Sequence, residues 1–249
     1  MKPFLTSNQP LAFAHRGGAL SAPENSMSAF KLAVSMGYRY LETDVHVTKD
    51  GVLIAFHDDI LDRVTDQTGV ISQMSFQEVA KAKIAGQESI PLMEDLLEEF
   101  PKAKFNIDPK HDQAVVPLAD LINRTNSENR VCVASFSDSR IRQVKKLVGE
   151  QLCTGMGPTG ISKIQLGRFI RSENAPSGDC VQVPASIKGV PLITPKFVKA
   201  VHSLDKVVHA WTINDAEEIE TLLDYGVDGI MTDQLETLKT VFLNRGIWV

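Results

Sequence analysis

Two consecutive strand–helix units occupy residues 104–148, whose sequence is KFNIDPKHDQAVVPLADLINRTNSENRVCVASFSDSRIRQVKKLV. The apolar runs at 104–107 and 130–136 predict strands, and the stretches 114–123 and 138–148 predict helices. A strand, a helix and a second strand in this order predict parallel neighbours joined by a right-handed crossover. These residues therefore favour an α/β fold made of repeated units.

The same alternation extends in both directions from this segment. Further strands are predicted at 11–15, 40–45, 152–155, 180–183, 207–213 and 229–232. Further helices are predicted at 25–36, 91–100, 195–203, 216–225 and 235–243, the first with Asn25 or Ser26 as its N-cap. A tight turn at residues 49–51 sends the chain back along 52–56 as the return arm of a hairpin. Without that arm, the predicted strands number about eight.

Eight such units in 249 residues have the size of a TIM (β/α)8 barrel. An open doubly wound sheet is the alternative. We expect a single domain over residues 1–249. The polar stretch at about 58–90 shows no regular pattern, and we interpret it as a small insertion after the second strand.

Composition narrows the class of protein. Hydrophobic residues make up 43% of the chain, and 26 basic against 31 acidic residues give a net charge of −5, which argues against a nucleic-acid binder. Cys132, Cys153 and Cys180 form no CxxC pair and are predicted to be buried, reduced thiols. Because the sequence shows no signal-peptide pattern and no apolar run near ~20 residues, we expect a cytoplasmic protein without a stable membrane anchor.

Polar residues collect where the predicted strands end, which in a barrel is the catalytic face. His15 and Arg16 follow the first strand, and His57 ends the return arm. Glu42 and Asp44 are two residues apart on the second strand, so both carboxylates share a face. The same spacing relates Asn106, Asp108 and Lys110 on the third strand, so these side chains also share a face.

These residue types suit phosphoryl-ester cleavage when they converge. Three carboxylates repel one another unless a cation lies between them, and oxygen ligands favour Mg²⁺ or Ca²⁺. Two histidines can serve as general acid and base near neutral pH, and Arg and Lys bind phosphate. Each residue alone could equally belong to an ordinary loop or strand surface. Their common position at strand ends favours the catalytic interpretation.

The sequence resembles the glycerophosphodiester phosphodiesterase family. The matching motifs, in chain order, are HRGG at 15–18, PENS at 23–26, ETDV at 42–45, DG at 50–51, HD at 57–58, FNIDPK at 105–110, WTIN at 211–214 and DGIMTD at 228–233. The resemblance implies a TIM barrel with a small insertion. It also implies metal-dependent hydrolysis of a small-molecule glycerophosphodiester to glycerol 3-phosphate and an alcohol.

The family resemblance also implies roles for individual residues. Glu42, Asp44 and Asp108 would hold one divalent cation, His15 and His57 would be the acid–base pair, and Arg16 and Lys110 would bind phosphate. A glycerol hydroxyl would attack phosphorus to form a cyclic phosphate, which water then opens. One departure concerns the third metal carboxylate, which is usually Glu in the family. Here it is Asp108, shorter by roughly 1.5 Å, so the coordination and the choice between Mg²⁺ and Ca²⁺ are open.

Two further motifs allow more than one interpretation. Trp211 ends the seventh predicted strand and is expected either to line the substrate pocket or to cap the barrel. The glycines at 155, 157 and 160 match the dinucleotide pattern GxGxxG, but Pro158 within it and its mid-chain position favour a glycine-rich barrel loop.

Two alternative functions accompany the main hypothesis. A lysophospholipase D would need an apolar groove at the barrel mouth, and the insertion has no long apolar stretch to supply one. A catalytically silent barrel would bind phosphodiesters without cleaving them, although both histidines and Lys110 are present. The sequence does not determine the head group, the oligomeric state or which histidine is the acid.

Overall fold

A computed structural model describes residues 1–166 and 175–248; residues 167–174 and 249 of the predicted domain lie outside the described part. Its strands are β1 Leu11–Ala14, β2 Tyr40–Val47, β3 Leu53–Ala55, β4 Lys83–Ile84, β5 Glu88–Ser89, β6 Lys104–Pro109, β7 Val131–Val133, β8 Cys153–Thr154, β9 Cys180–Pro184, β10 Ser186–Ile187, β11 Val190–Pro191, β12 Val207–Trp211 and β13 Gly229–Thr232. Its α-helices are α1 Met27–Ser35, α2 Phe76–Val79, α3 Met93–Glu99, α4 Val115–Arg124, α5 Asp138–Val148, α6 Pro158–Gln165, α7 Pro195–His202, α8 Ala216–Asp224 and α9 Leu235–Asn244.

Eight parallel strands form the barrel, in the order β8–β7–β6–β2–β1–β13–β12–β9. A parallel bridge between Gly155 and Cys180 joins the two ends of this sheet, and the Met156 N–H donates to the Cys180 carbonyl at 2.7 Å. The predicted TIM barrel is therefore confirmed, and the open doubly wound sheet is wrong. Gly155 and Gly157 belong to the loop at this closure rather than to a first βαβ unit.

The β2–β3 hairpin brings the return arm to the barrel mouth. β3 pairs antiparallel with β2, with Val45 opposite Ala55. Beyond the strand, the Phe56 N–H still donates to the Asp44 carbonyl at 3.0 Å. Because this pairing continues to the carboxyl end of β2, His57 emerges beside the carboxylates of that strand.

The sequence of residues 58–90 predicts no regular secondary structure, but the structure has helix α2 and the β4–β5 hairpin there. These elements have two to four residues each, too few to produce a periodic sequence pattern. They enclose a small apolar core of their own, made of Ile54, Phe56, Leu61, Ile71, Val79, Ala82, Ile84 and Ile90. The segment is thus a packed lobe beside the hairpin.

Two helix predictions need correction. The helix predicted from Pro91 begins at Met93, because the Pro91 carbonyl accepts from the Ala55 N–H at 2.9 Å and Leu92 bridges to Ile54. These backbone groups extend the hairpin and are unavailable to the helix. Helix α6 was not predicted, because its short sequence PTGISKIQ begins with proline and contains a glycine.

The amino end of the barrel is covered by the N-terminal segment. A short 3-10 helix, Pro3–Leu5, buries Phe4 against Phe13 and Tyr40 inside the barrel. The Lys104 ammonium donates to the carbonyls of Pro3 and Phe4, at 2.8 Å each. Among the helices described, none is long and apolar enough to cross a membrane.

Candidate active site

One cavity of about 790 Å³ opens at the carboxyl ends of the barrel strands. All eight residues that the sequence singled out line it: His15, Arg16, Glu42, Asp44, His57, Asp108, Lys110 and Trp211. The closed barrel explains this convergence, since residues distant in sequence come from strands that end at the same rim.

The HRGG turn positions the first two of these side chains. Arg16, Gly17 and Gly18 are all left-handed, with φ of 51°, 82° and 96°. A Cβ on Gly17 would lie 2.8 Å from the Cβ of Ala29 in α1, so only glycine allows this close approach. The turn leaves the Arg16 N–H donating to Glu42 Oε2 at 3.1 Å. The glycines of the motif therefore shape the turn, and the turn places His15 and Arg16 at the cavity.

The carboxylates face one another across neighbouring strands. Asp44 of β2 is in register with Asp108 of β6, and Glu42 lies one step deeper on β2. The Lys110 ammonium contacts both aspartates, at 2.7 Å from Asp44 Oδ1 and 2.9 Å from Asp108 Oδ2. Arg16 Nε approaches Asp44 Oδ2 at 3.4 Å. Two cations therefore offset three nearly buried acids.

Burial and mutual repulsion leave these acids with unequal proton affinities. Burial, together with the charge of Asp44, raises the pKa of Glu42 to about 7. Burial also raises the pKa of Asp108, although Lys110 opposes the effect. Against the effect of burial, Lys110 and Arg16 hold the pKa of Asp44 below its ordinary value. Glu42 is thus the carboxylate whose negative charge is compensated least by neighbouring cations.

His15 is oriented by an aspartate from the last barrel strand's loop. Its Nδ1 lies 2.7 Å from Asp233 Oδ1, and Asn214 Nδ2 donates to Asp233 Oδ2 at 3.3 Å. Its Nε2 lies 3.8 Å from Glu42 Oε2. Burial lowers the pKa of His15, but the charges of Glu42 and Asp233 outweigh it and raise that pKa overall.

His57, on the return arm of the β2–β3 hairpin, has a matching arrangement. Its Nδ1 lies 2.6 Å from Asp58 Oδ1, and Arg63 Nε donates to Asp58 Oδ2 at 2.6 Å. Arg63 also donates to both oxygens of Glu24, at 2.8 and 2.7 Å, and Glu24 accepts from Arg16 at 3.1 Å. Hydrogen bonds from Arg63 lower the pKa of Asp58 to about 2. A continuous chain of ion pairs therefore links His57 to Arg16.

Sequence reasoning missed the supporting roles of three residues. The sequence assigns no role to Asp233 or Glu24 beyond their place in matching motifs. Arg63 was not singled out, because it lies in the stretch without a regular pattern. Asp233 and Glu24 belong to recognised motifs, so their position could have suggested a role. Nothing in the sequence pairs Arg63 with either Glu24 or Asp58.

The other half of the cavity wall is apolar. It is built by Ala134, Phe136, Met156, Ile161, Leu166, Val183, Ile187, Leu192, Trp211 and Met231. Trp211 contacts Phe136 edge to face, with ring centroids 5.9 Å apart. Trp211 therefore lines the cavity. The loops after β7, β8 and β9 supply most of this wall. The apolar surface at the barrel mouth therefore comes from these loops and not from the insertion.

Comparison with known proteins agrees with these motifs. The model of the glycerophosphoryl diester phosphodiesterase family matches residues 15–237. A Mycobacterium tuberculosis protein named Probable glycerophosphodiester phosphodiesterase 2 is 38% identical over 98% of this chain and 95% of its own length.

Two solved structures share the fold at 22% identity. The glycerophosphodiester phosphodiesterase of Agrobacterium tumefaciens has a TM-score of 0.76, with 92% of this chain and 99% of that chain covered. An Oleispira antarctica phosphodiesterase in complex with the product sn-glycerol-3-phosphate has a TM-score of 0.80, with 94% and 97% covered. The family match over most of the chain leads to one conclusion: this protein belongs to the glycerophosphoryl diester phosphodiesterase family.

Proposed function

We propose that the chain hydrolyses glycerophosphodiesters to glycerol 3-phosphate and an alcohol, with His15 and His57 as the acid–base pair. The observation that carries the proposal is that each histidine has Nδ1 bound to an aspartate on the same cavity. That arrangement selects one tautomer and leaves Nε2 of each ring for proton transfer. The name of the mycobacterial relative and the product held by the Oleispira enzyme support the substrate class.

The two histidines can perform both halves of such a reaction. One ring takes the proton of a glycerol hydroxyl as its oxygen bonds to phosphorus, and the other protonates the departing alkoxide. The resulting cyclic phosphate is opened by water with the two roles exchanged. Asp58 and Asp233 are positioning residues, because they act through the histidines and stabilise whichever ring is protonated.

Arg16 and Lys110 supply positive charge for the phosphoryl oxygens. Arg16 Nε is buried and, although it lies 3.4 Å from Asp44 Oδ2, it makes no hydrogen bond to any described residue. A substrate oxygen would satisfy this donor at little cost, because the side chain is already held by Glu24. Lys110 lies between Asp44 and Asp108, so its ammonium group is fixed at the mouth of the cluster.

The carboxylates also fit a hard divalent cation. Asp44 Oδ2 and Asp108 Oδ1 are buried acceptors without a hydrogen bond from any described residue. Glu42, whose pKa is raised to about 7, lies beside them. We therefore assign Glu42, Asp44 and Asp108 as the ligands of one Mg²⁺ or Ca²⁺ ion. When bound, the ion supplies Lewis-acid polarisation of the phosphoryl group.

Lysophospholipase D activity is a second candidate, and the apolar cavity wall favours it. Phe136, Leu166 and Ile187 are exposed at the rim, with 72%, 73% and 54% of their surface open to solvent. Exposed apolar side chains beside a pocket indicate an apolar ligand. A lysophospholipid could place its polar diester among the ionisable groups and its acyl chain along this wall.

The first prediction concerns the reaction and its cation. The protein should release glycerol 3-phosphate from glycerophosphocholine with Mg²⁺, Ca²⁺ or Mn²⁺, and EDTA should stop the release.

Asp108→Ala should lower the metal-dependent kcat by roughly 10³-fold, because a proposed ligand is lost. Asp112→Ala is the matched control, since its side chain is 79% exposed. Near-wild-type turnover in Asp108→Ala would overturn the ligand assignment, and no product with any ion would overturn the proposed reaction.

The second prediction uses the raised pKa of Glu42. An acid whose pKa is higher in the folded state than in the unfolded state stabilises the fold fully at pH values below its unfolded-state pKa. This stabilising contribution is lost as the pH rises through the folded-state pKa, which for Glu42 is about 7. In EDTA at pH 8, Glu42→Gln should therefore be more stable than wild type, by roughly 2 kcal/mol. The advantage should vanish near pH 4.

Urea unfolding at both pH values measures this difference. Mg²⁺ or Ca²⁺ should stabilise the wild type more than Glu42→Gln, and Glu150→Gln, with a side chain 90% exposed, is the control. A Glu42→Gln variant that is less stable than wild type at pH 8 in EDTA would contradict the prediction.

The third prediction separates positioning from mere structure. Asp233→Asn should reduce kcat by roughly 10²-fold, because His15 loses the charge that orients and stabilises it. The limb of the pH profile that reports His15 should move to lower pH, since removing that charge lowers the pKa of His15. Asp228→Asn breaks a similar Asp–His pair at His202, away from the cavity, and should leave the profile unchanged. An unshifted limb in Asp233→Asn would argue against the positioning role.

The fourth prediction tests the apolar wall. If lysophosphatidylcholine is a substrate, Phe136→Asp should lower its kcat/KM by about 10-fold while glycerophosphocholine changes by less than about twofold. Val116→Asp, an exposed apolar position on α4, controls for the added charge. Equal losses on both substrates, or no turnover of the lysophospholipid, would reject the lipid role.

A further inference from the structure

Three cysteine side chains converge at the amino end of the barrel, opposite the proposed active site. Cys132, Cys153 and Cys180 come from β7, β8 and β9, and all are fully buried. Cys132 and Cys153 are register partners, and Cys180 lies across the bridge that closes the barrel. Their sulfur atoms all lie within 4.8 Å of one another. The prediction of buried, reduced thiols is confirmed, and the closure of the barrel makes them a cluster.

The spacing of the sulfur atoms suits a shared metal ion better than a disulfide. Cys132 Sγ and Cys180 Sγ are 3.9 Å apart. A disulfide requires about 2.0 Å. Two thiolates on one Zn²⁺ ion, with bonds of about 2.3 Å and near-tetrahedral or trigonal angles, are separated by roughly 3.8 to 4.0 Å. The Cys132–Cys180 pair therefore has the spacing of two thiolates on one ion, and Cys153 Sγ lies within 4.8 Å of both sulfur atoms.

Polar groups beside Cys180 would help a thiolate form in this apolar layer. Gln182 Nε2 donates to Cys180 Sγ at 3.6 Å and is itself held by Asn106 Oδ1 at 2.8 Å. His209 is fully buried, and its Nε2 has no partner among the residues described. A purely apolar role for the cysteines would not require these neighbours.

We propose that Cys132, Cys153 and Cys180 bind one thiophilic ion of the Zn²⁺ class at the amino end of the barrel. Binding replaces the thiol protons, which pass to solvent, and three thiolates with a divalent ion leave one net negative charge. The Gln182 N–H group partly offsets that charge. The site is chemically distinct from the carboxylate cluster, because sulfur ligands select soft ions and carboxylates select hard ones.

The N-terminal 3-10 helix determines how an ion would enter. Phe4 belongs to the same buried cluster as the three cysteines, and Lys104 and Tyr40 hold its carbonyl by hydrogen bonds of 2.8 and 3.0 Å. Residues 3–5 must therefore move aside for the ion to pass. We expect loading to be slow in the native protein and faster in Phe4→Ala.

Cadmium binding tests the proposal directly, because Cd²⁺ with thiolates produces an ultraviolet charge-transfer band that oxygen ligands do not. The reduced, EDTA-washed full chain should bind one Cd²⁺ with this band, and Zn²⁺ should compete it away. Each of Cys132→Ala, Cys153→Ala and Cys180→Ala should bind at least about 100-fold more weakly, as expected for losing one of three ligands. Asp108→Ala, altered only at the other end of the barrel, should keep the wild-type band.

Two results would overturn the proposal: no thiolate band in the folded wild type, or wild-type affinity in any of the three cysteine variants. Should a variant fail to fold, cadmium NMR of the wild type decides the matter, since a sulfur-rich site and an oxygen site have well-separated chemical shifts. A resonance in the oxygen range alone would exclude the cluster. A resonance in the sulfur range would support it.

Discussion

The accumulation of negative charge at one end of the barrel is the constraint on which the site depends. Glu42, Asp44 and Asp108 are nearly buried together, and burying charges without compensation costs several kcal/mol each. The Lys110 ammonium contacts both aspartates directly, and Arg16 Nε approaches Asp44. Glu42 is compensated least, which raises its pKa to about 7. The unfilled acceptors of the aspartates are the reason to assign a cation there.

The proposed acid–base chemistry requires histidines that are held firmly, and each histidine is held by a different part of the chain. His15 is held by Asp233, from the loop after the last barrel strand. His57 is held by Asp58, which is fixed in turn by Arg63 of the inserted lobe. Because Arg63 also grips Glu24, the lobe is tied to the loop that carries Arg16. The insertion therefore helps to preorganise the site.

Carboxylates and thiols lie at opposite ends of the barrel axis, and ionisable and apolar side chains lie on opposite sides of the barrel mouth. The carboxylates lie at the carboxyl ends of the strands, while the thiols lie at the amino ends. Between them, Asn106 and Gln182 form a reciprocal amide pair, at 3.2 and 2.8 Å. Around the mouth, ionisable groups come from the first half of the chain and most of the apolar wall from the second. This division would let the polar and apolar portions of one substrate contact opposite walls.

The sequence by itself determined most of the strand–helix order, with α6 and the short elements of the inserted lobe excepted. It also determined the faces of β2 and β6 and the residues at their ends. These features follow from local periodicity, which a single chain displays without any knowledge of its contacts. Glu42 and Asp44 share a face because alternate residues of a strand must, and Ser26 caps α1 because its side chain accepts from the Ala29 N–H three residues on.

Only the tertiary structure decided which distant residues meet. The ion pair of Arg63 with Glu24 joins positions 39 residues apart, and nothing local pairs the two. The three cysteines have no common motif; Cys132 and Cys153 meet through the pairing of β7 with β8, and Cys180 joins them only because the ends of the sheet close into a barrel. The position of the apolar wall likewise depends on which loops border the mouth. Contacts of this kind depend on how the elements pack in three dimensions, and periodicity within one element contains no information about its neighbours.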